Sequence, residues 1–299
     1  MPDLALLNLL PDPQSWPLLL WLGVAAILGL VFGSFANVVI YRLPLILRRQ
    51  WGEENLPEVS LAWPGSFCPQ CENKVRWHDN LPLLGWLLLK GRCRDCQAAI
   101  PWRYPLVELL CGVLAAWVAW RLGASLHTLA WMGLVWTLVV LAFIDAQTRL
   151  LPDYLTLPLI WAGLTWHWLF SSPQMFNQAF AGALLGYLSL WSLYWVFKLL
   201  TGREGMGYGD FKLLAALGAW LGAPALIPIV MLASVSGLIA AAVMKSTQQW
   251  KNQALPFGPH LVVGALALLL GGWELAGWLY LDSWLLITNW ALVIPLDLP

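Results

Sequence analysis

The feature that most constrains the fold is a series of apolar stretches long enough to cross a lipid bilayer. A transmembrane helix needs roughly 20 apolar residues, with about 17 as the lower limit. Stretches near this length occupy 17–40, 105–123, 128–144, 155–170, 177–199, 225–244 and 258–273, and a shorter one occupies 211–222. Hydrophobic residues make up 60% of the chain and charged residues 11%, which excludes a soluble domain of this length. The sequence therefore predicts an all-α integral membrane protein.

The distribution of Lys and Arg predicts how these spans are oriented. Residues 1–16 contain no Lys or Arg, whereas 41–103 contain nine of the sixteen in the chain. By the positive-inside rule, the N-terminus lies outside and the 41–103 loop is cytoplasmic. A count of about eight spans, with 211–222 and 225–244 as a hairpin, keeps almost all later basic residues on the cytoplasmic side. Both chain termini are then expected outside.

Charge and the start of the chain add two further expectations. The formal net charge is zero, so the bulk charge indicates no nucleic-acid partner. The first apolar run has no basic region before it and no small-residue cleavage site after it. We therefore expect the first span to be retained in the protein, not removed as a signal peptide.

Two aspartates lie at the ends of apolar stretches. Asp145 follows the stretch 129–144, and Asp210 precedes the stretch 211–221. Carboxylates near the hydrocarbon are costly and usually face a protein interior, where they carry function. In the predicted topology both lie at the cytoplasmic boundary. Two such carboxyls can share a proton, so that one activates water and the other polarises a carbonyl. The pattern predicts a membrane-embedded aspartyl protease with Asp145 and Asp210 as its catalytic residues.

The residues alone leave other interpretations of these aspartates open. Asp210 could cap a helix, and Asp145 could be an interfacial residue paired with Arg149. A transporter component with an intramembrane Asp pair is a further alternative, although ion coupling favours aspartates near the bilayer midplane. Asp153 follows Pro152, which indicates a turn and a helix start, and we expect a structural or supporting role for it.

The largest hydrophilic loop contains two Cys-x-x-Cys pairs. They are Cys68-Pro69-Gln70-Cys71 and Cys93-Arg94-Asp95-Cys96, with 21 residues between the pairs. This spacing is typical of a four-cysteine zinc ribbon, in which four thiolates leave no open position, so a structural Zn²⁺ is predicted. Two disulfides are the competing interpretation, which a cytoplasmic loop disfavours. The fifth cysteine, Cys111, lies in an apolar span and is expected to be a packing residue.

Ordered motifs along nearly the whole chain resemble one known family, the bacterial type IV prepilin peptidases. These enzymes are bifunctional leader peptidases and N-methyltransferases of the GxGD aspartyl protease type. The motifs are Gly33-Ser34-Phe35, Tyr41-Arg42-Leu43-Pro44, both cysteine pairs, Trp77 to Pro82, Arg103 to Glu108, Ile144-Asp145, Leu150 to Asp153, Gly205-x-Gly207-x-Gly209-Asp210 and Pro256-Phe257-Gly258-Pro259. The resemblance implies cleavage of prepilin or type II secretion pseudopilin leaders after a glycine, at the cytoplasmic face of the bacterial inner membrane. It also places the family's catalytic aspartates at Asp145 and Asp210.

The resemblance further implies methylation of the new N-terminal residue with S-adenosylmethionine. The four-cysteine loop belongs to family members with this activity, and the implied site lies in that loop and the first span. We name Gly33, Asn37 and Arg42 as its residues. A peptidase without methyltransferase activity stays an alternative. The expected segments are 1–40 (first span), 41–104 (zinc loop), 105–272 (peptidase) and 273–299 (a Trp-rich tail without an assigned role).

Overall fold

The computed structural model describes residues 18–247 and 255–280 of the chain. The predicted outside segment 1–16 and most of the predicted tail, 281–299, lie outside the described residues. The helices are α1 (Leu18–Gln50), α2 (Leu84–Leu88), α3 (Arg103–Leu122), α4 (Leu126–Thr148), α5 (Asp153–Phe170), α6 (Pro173–Thr201), α7 (Tyr208–Leu221), α8 (Leu226–Ser246) and α9 (Gly258–Tyr280).

The predicted all-helical membrane fold is confirmed. Over residues 18–247 and 255–280 there is no strand, and only two isolated β-bridges occur, both in the cysteine loop. Five helical segments in this part of the chain are long and apolar enough to cross a membrane: α1, α3, α4, α6 and 223–246. A shorter apolar segment covers 258–271 in α9. The count of about eight spans stays a prediction.

The first helix extends farther than the predicted span, which ended at residue 40. It has 33 residues and ends at Gln50, and a helix of that length measures about 50 Å against a hydrocarbon core of about 30 Å. The last turns of the helix therefore extend beyond the hydrocarbon, and there Arg48 pairs with Glu53. Arg42 is buried and donates hydrogen bonds to the carbonyls of Ser60 (2.9 Å) and Gly65 (3.1 Å), so this end of the helix is attached to the following loop.

The chain divides into two compact units, Met1–Val140 and Leu141–Pro299. In the first unit, α1 packs against α3 through small residues. A Cβ on Gly29 would lie 2.5 Å from the Cys111 carbonyl oxygen, and a Cβ on Gly33 would lie 2.7 Å from Cα of Glu108. Gly29 and Gly33 form a small-xxx-small pattern, which allows two membrane helices to approach closely.

The second unit is built around α7. Every residue of α7 from Asp210 to Leu221 except Lys212 is buried, and the helix has only 14 residues. Its neighbours approach it closely, because Gly182 on α6 and Gly218 on α7 lie in backbone contact. The carbonyl of Trp220, near the C-terminal end of α7, lies 3.1 Å from Nε2 of the buried His167. This polar contact satisfies a backbone group at a helix end that water does not reach.

Candidate active site and metal centre

Asp145 lies in the last turn of α4 and is 5% exposed. Its Oδ2 accepts a hydrogen bond of 3.0 Å from the backbone N–H of Gly258, the first residue of α9. A first-turn N–H has no acceptor within its own helix and is free to donate. A Cβ on Gly258 would lie only 2.6 Å from the same carboxylate oxygen. Glycine at this position therefore allows the close approach of backbone and carboxylate.

Asp210 lies in the first turn of α7 and is 7% exposed. Its carboxylate faces the backbone of Gly207, the residue that precedes the helix. Asp210 thus has the cap-like position that the sequence left open, since an acidic side chain in a first turn interacts favourably with free N–H groups. A cap does not need burial, however, and an acidic side chain that is also buried is unusual unless it is paired.

The structure brings Asp145 and Asp210 together within the second unit. The two carboxylates are close enough to repel each other electrostatically when both are charged. Leu151 packs against both Gly209, which precedes Asp210, and Gly258, which contacts Asp145. A Cβ on Gly209 would lie 2.6 Å from the Leu151 Cβ, and a Cβ on Gly258 would lie 3.2 Å from the Leu151 Cδ1. Two carboxyls held close together can share a proton, so that one is a base and the other an acid.

Asp153 lies at the start of α5 and is paired with a lysine on α7. Nζ of Lys212 donates to its two carboxylate oxygens at 2.6 and 2.8 Å. The Asp153 side chain is 54% exposed, unlike the two buried aspartates. Its ion pair links the beginning of α5 to α7, two residues beyond Asp210.

The loop before α7 is attached to the end of α6. Nζ of Lys198 donates to Glu204 at 2.8 Å and to the hydroxyl of the buried Tyr194 at 3.1 Å. The hydrogen bond from Lys198 holds the pKa of Glu204 below its usual range. Sequence reasoning assigned no role to these residues or to Gly258. The Pro256–Pro259 motif was the only sequence signal for Gly258, and a motif does not show that its backbone meets Asp145.

The four predicted metal ligands converge in the first unit. The Sγ atoms of Cys68, Cys71, Cys93 and Cys96 all lie within 4.8 Å of one another. The Cys68–Cys96 sulfur distance is 3.8 Å, and the Cys71–Cys93 distance is 4.0 Å. A Zn–S bond of about 2.3 Å in a tetrahedron gives sulfur separations of about 3.8 Å. The described cysteines therefore fit a tetrahedral zinc ion.

Each cysteine pair lies in a short turn of the same form. The backbone N–H of Cys68 donates to Asn73, and that of Cys93 donates to Ala98. The residue after each pair has a positive φ, 58° at Glu72 and 60° at Gln97. This repeated geometry directs two thiols of each pair to one point. Beside the second turn, the guanidinium of Arg94 binds both carboxylate oxygens of Asp79 at 2.8 and 2.5 Å.

The three residues predicted to bind S-adenosylmethionine lie on α1, and each of them packs against or hydrogen-bonds to another part of the protein. Gly33 packs on α3, and Arg42 binds the loop carbonyls described above. Asn37 is 4% exposed, and its Nδ2 donates to the carbonyl of Tyr104 at 3.0 Å. Among the residues that the structure describes, its buried Oδ1 has no hydrogen-bond partner. An unpaired buried acceptor is unusual and indicates a place for a donor group.

Comparison with known proteins defines the class to which this fold and these residues belong. The model of the bacterial peptidase A24 N-terminal domain matches residues 27–122, and that of the type IV leader peptidase family matches residues 132–242. No solved structure matches the chain.

Curated relatives match over nearly their whole length. The prepilin leader peptidase/N-methyltransferase of Dickeya chrysanthemi is 49% identical over 276 residues, covering 85% of this chain and 95% of the relative. That of Aeromonas hydrophila is 46% identical, covering 92% and 98%. The chain belongs to the type IV leader peptidase family, as its motifs predicted. With its apolar helices, this membership makes it an integral inner-membrane protein.

Proposed function

We propose that this protein is a membrane aspartyl endopeptidase that removes the leader from type IV prepilins or type II secretion pseudopilins. It cleaves after a glycine and then N-methylates the new N-terminal residue with S-adenosylmethionine. Family membership supports this function. The observation that carries the peptidase assignment is the buried pair of Asp145 and Asp210 in the second unit.

In the proposed reaction, one carboxylate of the pair removes a proton from water as the water oxygen attacks the scissile carbonyl. The other carboxyl, protonated, donates a hydrogen bond to the carbonyl oxygen as negative charge develops there. The leaving amine then takes a proton from the pair, which returns to its singly protonated state. Gly258 orients Asp145 through its N–H, and the backbone of Gly207 faces Asp210.

The proposed substrate and the proposed membrane orientation both place the cleaved bond at the cytoplasmic boundary of the membrane. A prepilin has a basic leader joined to an apolar helix, so the helix can lie in the bilayer while the leader stays in the cytoplasm. We propose that both chain termini lie outside and that Asp145 and Asp210 lie at the cytoplasmic face. The basic loop 41–103 supports this orientation through the positive-inside rule.

The second activity is proposed for the first unit. Cys68, Cys71, Cys93 and Cys96 hold a structural Zn²⁺, which stabilises the loop and takes no part in catalysis. S-adenosylmethionine supplies an electrophilic methyl group. Gly33, Asn37 and Arg42 stay the proposed residues for it, and the unpaired Oδ1 of Asn37 supports this part of α1 as the site.

The test is cleavage in detergent of a peptide with a basic leader, a glycine, a phenylalanine and an apolar helix. We expect Asp145→Asn and Asp210→Asn each to lower the rate by about 10²- to 10⁴-fold, since each removes one member of the acid–base pair. Asp153→Asn is the matched control and should keep cleavage, because Asp153 is exposed and paired with Lys212.

Each outcome of that test has a clear meaning. Wild-type rates in either active-site variant would remove that residue from catalysis. A wild-type protein that does not cut would bring back the transporter interpretation. Cleavage without methyl transfer from S-adenosylmethionine would leave a peptidase only.

A further inference from the structure

A third acidic residue is buried in this protein, and the proposed peptidase reaction does not use it. Glu108 lies in the second turn of α3, within a candidate membrane span, and is 9% exposed. Its Cα lies directly against Gly33 of α1. A carboxylate at an apolar helix crossing is costly, and such residues generally mark functional sites.

The contacts of Glu108 leave part of its hydrogen-bonding capacity free. Oε2 accepts a hydrogen bond of 2.8 Å from the backbone N–H of Leu83, and the side chain of Ser34 interacts with the same carboxylate. Among the residues that the structure describes, no Lys, Arg or His forms an ion pair with Glu108. A carboxylate can accept about four hydrogen bonds, so Glu108 can take a further donor.

The backbone that reaches Glu108 is strained. Leu83 has φ 59° and ψ −49°, a conformation that a leucine rarely adopts. It is held there by the surrounding turn, in which Gly85 packs against the backbone of Asp79. Strained residues that the fold maintains are concentrated at binding and catalytic sites. Here the strained residue directs its N–H at the buried carboxylate.

A second acceptor lies on the same part of the helix crossing. Asn37 is one turn beyond Gly33 on α1, and Nδ2 donates to Tyr104, which is one turn before Glu108 on α3. These donor contacts orient the amide, so the unpaired buried atom is the acceptor Oδ1. Within the described part of the chain, the crossing of α1 and α3 therefore holds one charged acceptor with free capacity, Glu108, and one neutral acceptor without a partner, Asn37 Oδ1.

We propose that Glu108 and Asn37 form a binding site for a primary ammonium group. An ammonium has three donors and one positive charge, which matches an acceptor-only site with a carboxylate. This inference rests on the proposed methyltransferase function, which supplies two such groups. One is the amino group of the methyl donor, and the other is the new N-terminus of the cleaved pilin. In both cases Glu108 holds the ligand by charge-assisted hydrogen bonds.

The test is equilibrium binding to the full chain in detergent, measured by calorimetry with ligands that carry an ammonium group and related ligands that do not. S-adenosylmethionine is compared with methylthioadenosine, which lacks the amino-acid portion. A processed pilin peptide with a free N-terminal phenylalanine is compared with its N-acetylated form. Three variants are compared with the wild type. Glu108→Gln removes the charge but keeps an acceptor for the N–H of Leu83, and Glu108→Asp keeps the charge. Asn37→Ala removes the second acceptor. Cys111→Ser, one turn along the same buried face, is the control.

We expect Glu108→Gln to weaken binding of one ammonium ligand by about 10- to 100-fold, the usual worth of a charged hydrogen bond. The matching ligand without the ammonium group should bind Glu108→Gln as tightly as it binds the wild-type protein. Glu108→Asp should retain more affinity than Glu108→Gln, and Cys111→Ser should bind normally. The ligand pair that responds identifies the source, donor or pilin N-terminus. If Glu108→Gln does not fold, as judged by thermal unfolding, Asn37→Ala and Glu108→Asp carry the same comparison.

Two results would overturn the inference while the methyltransferase stands. The first is that Glu108→Gln binds the ammonium ligands with wild-type affinity. The second is that Glu108→Gln weakens the binding of ligands with and without the ammonium equally, which would mean that Glu108 only holds the Leu83 turn in place. A wild-type protein that neither binds S-adenosylmethionine nor methylates the peptide would instead refute the proposed methyltransferase, and the inference with it.

Discussion

At the scale of single residues, the proposed active site depends on backbone groups at helix beginnings. Asp145 receives the N–H of Gly258 at the start of α9, and Asp210 lies in the first turn of α7. The N-terminal end of a helix stabilises negative charge. Both carboxylates therefore contact backbone at a helix beginning, and Arg149, one turn after Asp145, also acts on the Asp145 carboxylate electrostatically.

The first residue-scale prediction concerns Gly258. We expect Gly258→Ala to lower the cleavage rate by about a hundredfold, because the new Cβ would lie 2.6 Å from Oδ2 of Asp145 and displace it. Gly133→Ala on α4 is the control, since no atom lies within 4 Å of a Cβ there. Steady-state cleavage of the leader peptide measures both. Equal rates in the two variants would mean that the Gly258 contact does not position the carboxylate.

At the scale of elements, α7 is the structural centre of the second unit. Its 14 residues measure about 21 Å, less than the hydrocarbon thickness of about 30 Å. The helix is nevertheless stable in an apolar setting because the other helices bury it and His167 contacts the carbonyl near its C-terminal end. A short helix enclosed in this way can present Asp210 within protein and not to lipid.

The close contact of α6 and α7 gives an element-scale prediction. We expect Gly218→Ala to destabilise the protein by about 1–3 kcal/mol, because the added methyl meets backbone that cannot move aside. A Cβ there overlaps the carbonyl of Gly182. Thermal unfolding in detergent measures the effect. Gly23→Ala, which meets nothing within 4 Å, should leave the unfolding temperature nearly unchanged. An equally small change in Gly218→Ala would show that the two helices can separate without cost.

At the scale of the whole molecule, the division into two compact units parallels the two proposed activities. The four cysteines, Asn37 and Glu108 all belong to Met1–Val140, whereas Asp145, Asp210 and Gly258 belong to Leu141–Pro299. The two family models also divide the chain, between residues 122 and 132, which is ahead of the unit boundary at Val140. The boundary at Val140 falls within α4, so this helix connects the units.

This division predicts separate sensitivity to metal loss. We expect the wild type to contain about one zinc ion per chain, and Cys68→Ser with Cys96→Ser to lose it, since tetrahedral binding needs four ligands. Methyl transfer should then fail while leader cleavage continues, because the aspartate pair lies in the other unit. Metal analysis and parallel assays of both activities measure this. Cys111→Ser is the control. Cleavage lost together with zinc would show that the peptidase unit depends on the metal loop.

The sequence by itself determined the class of the protein. Apolar length and the low charge content required membrane helices, because unpaired backbone is not tolerated in hydrocarbon. The spacing of the cysteines indicated a four-thiol site, and Asp145 and Asp210 stood out because acidic residues at span ends are costly. The ordered motifs indicated the family, which the comparisons confirmed. These features are local, so a pattern of a few residues carries them.

Only the tertiary structure decided which distant groups meet. The hydrogen bond from Gly258 to Asp145 joins residues 113 positions apart, and the bond from Leu83 to Glu108 depends on a strained turn. The sequence also placed the end of the first span at residue 40, whereas the helix continues to Gln50, and Arg42 within it binds a later loop. Such contacts result from how helices pack and loops close, and no short-range pattern in the chain records them.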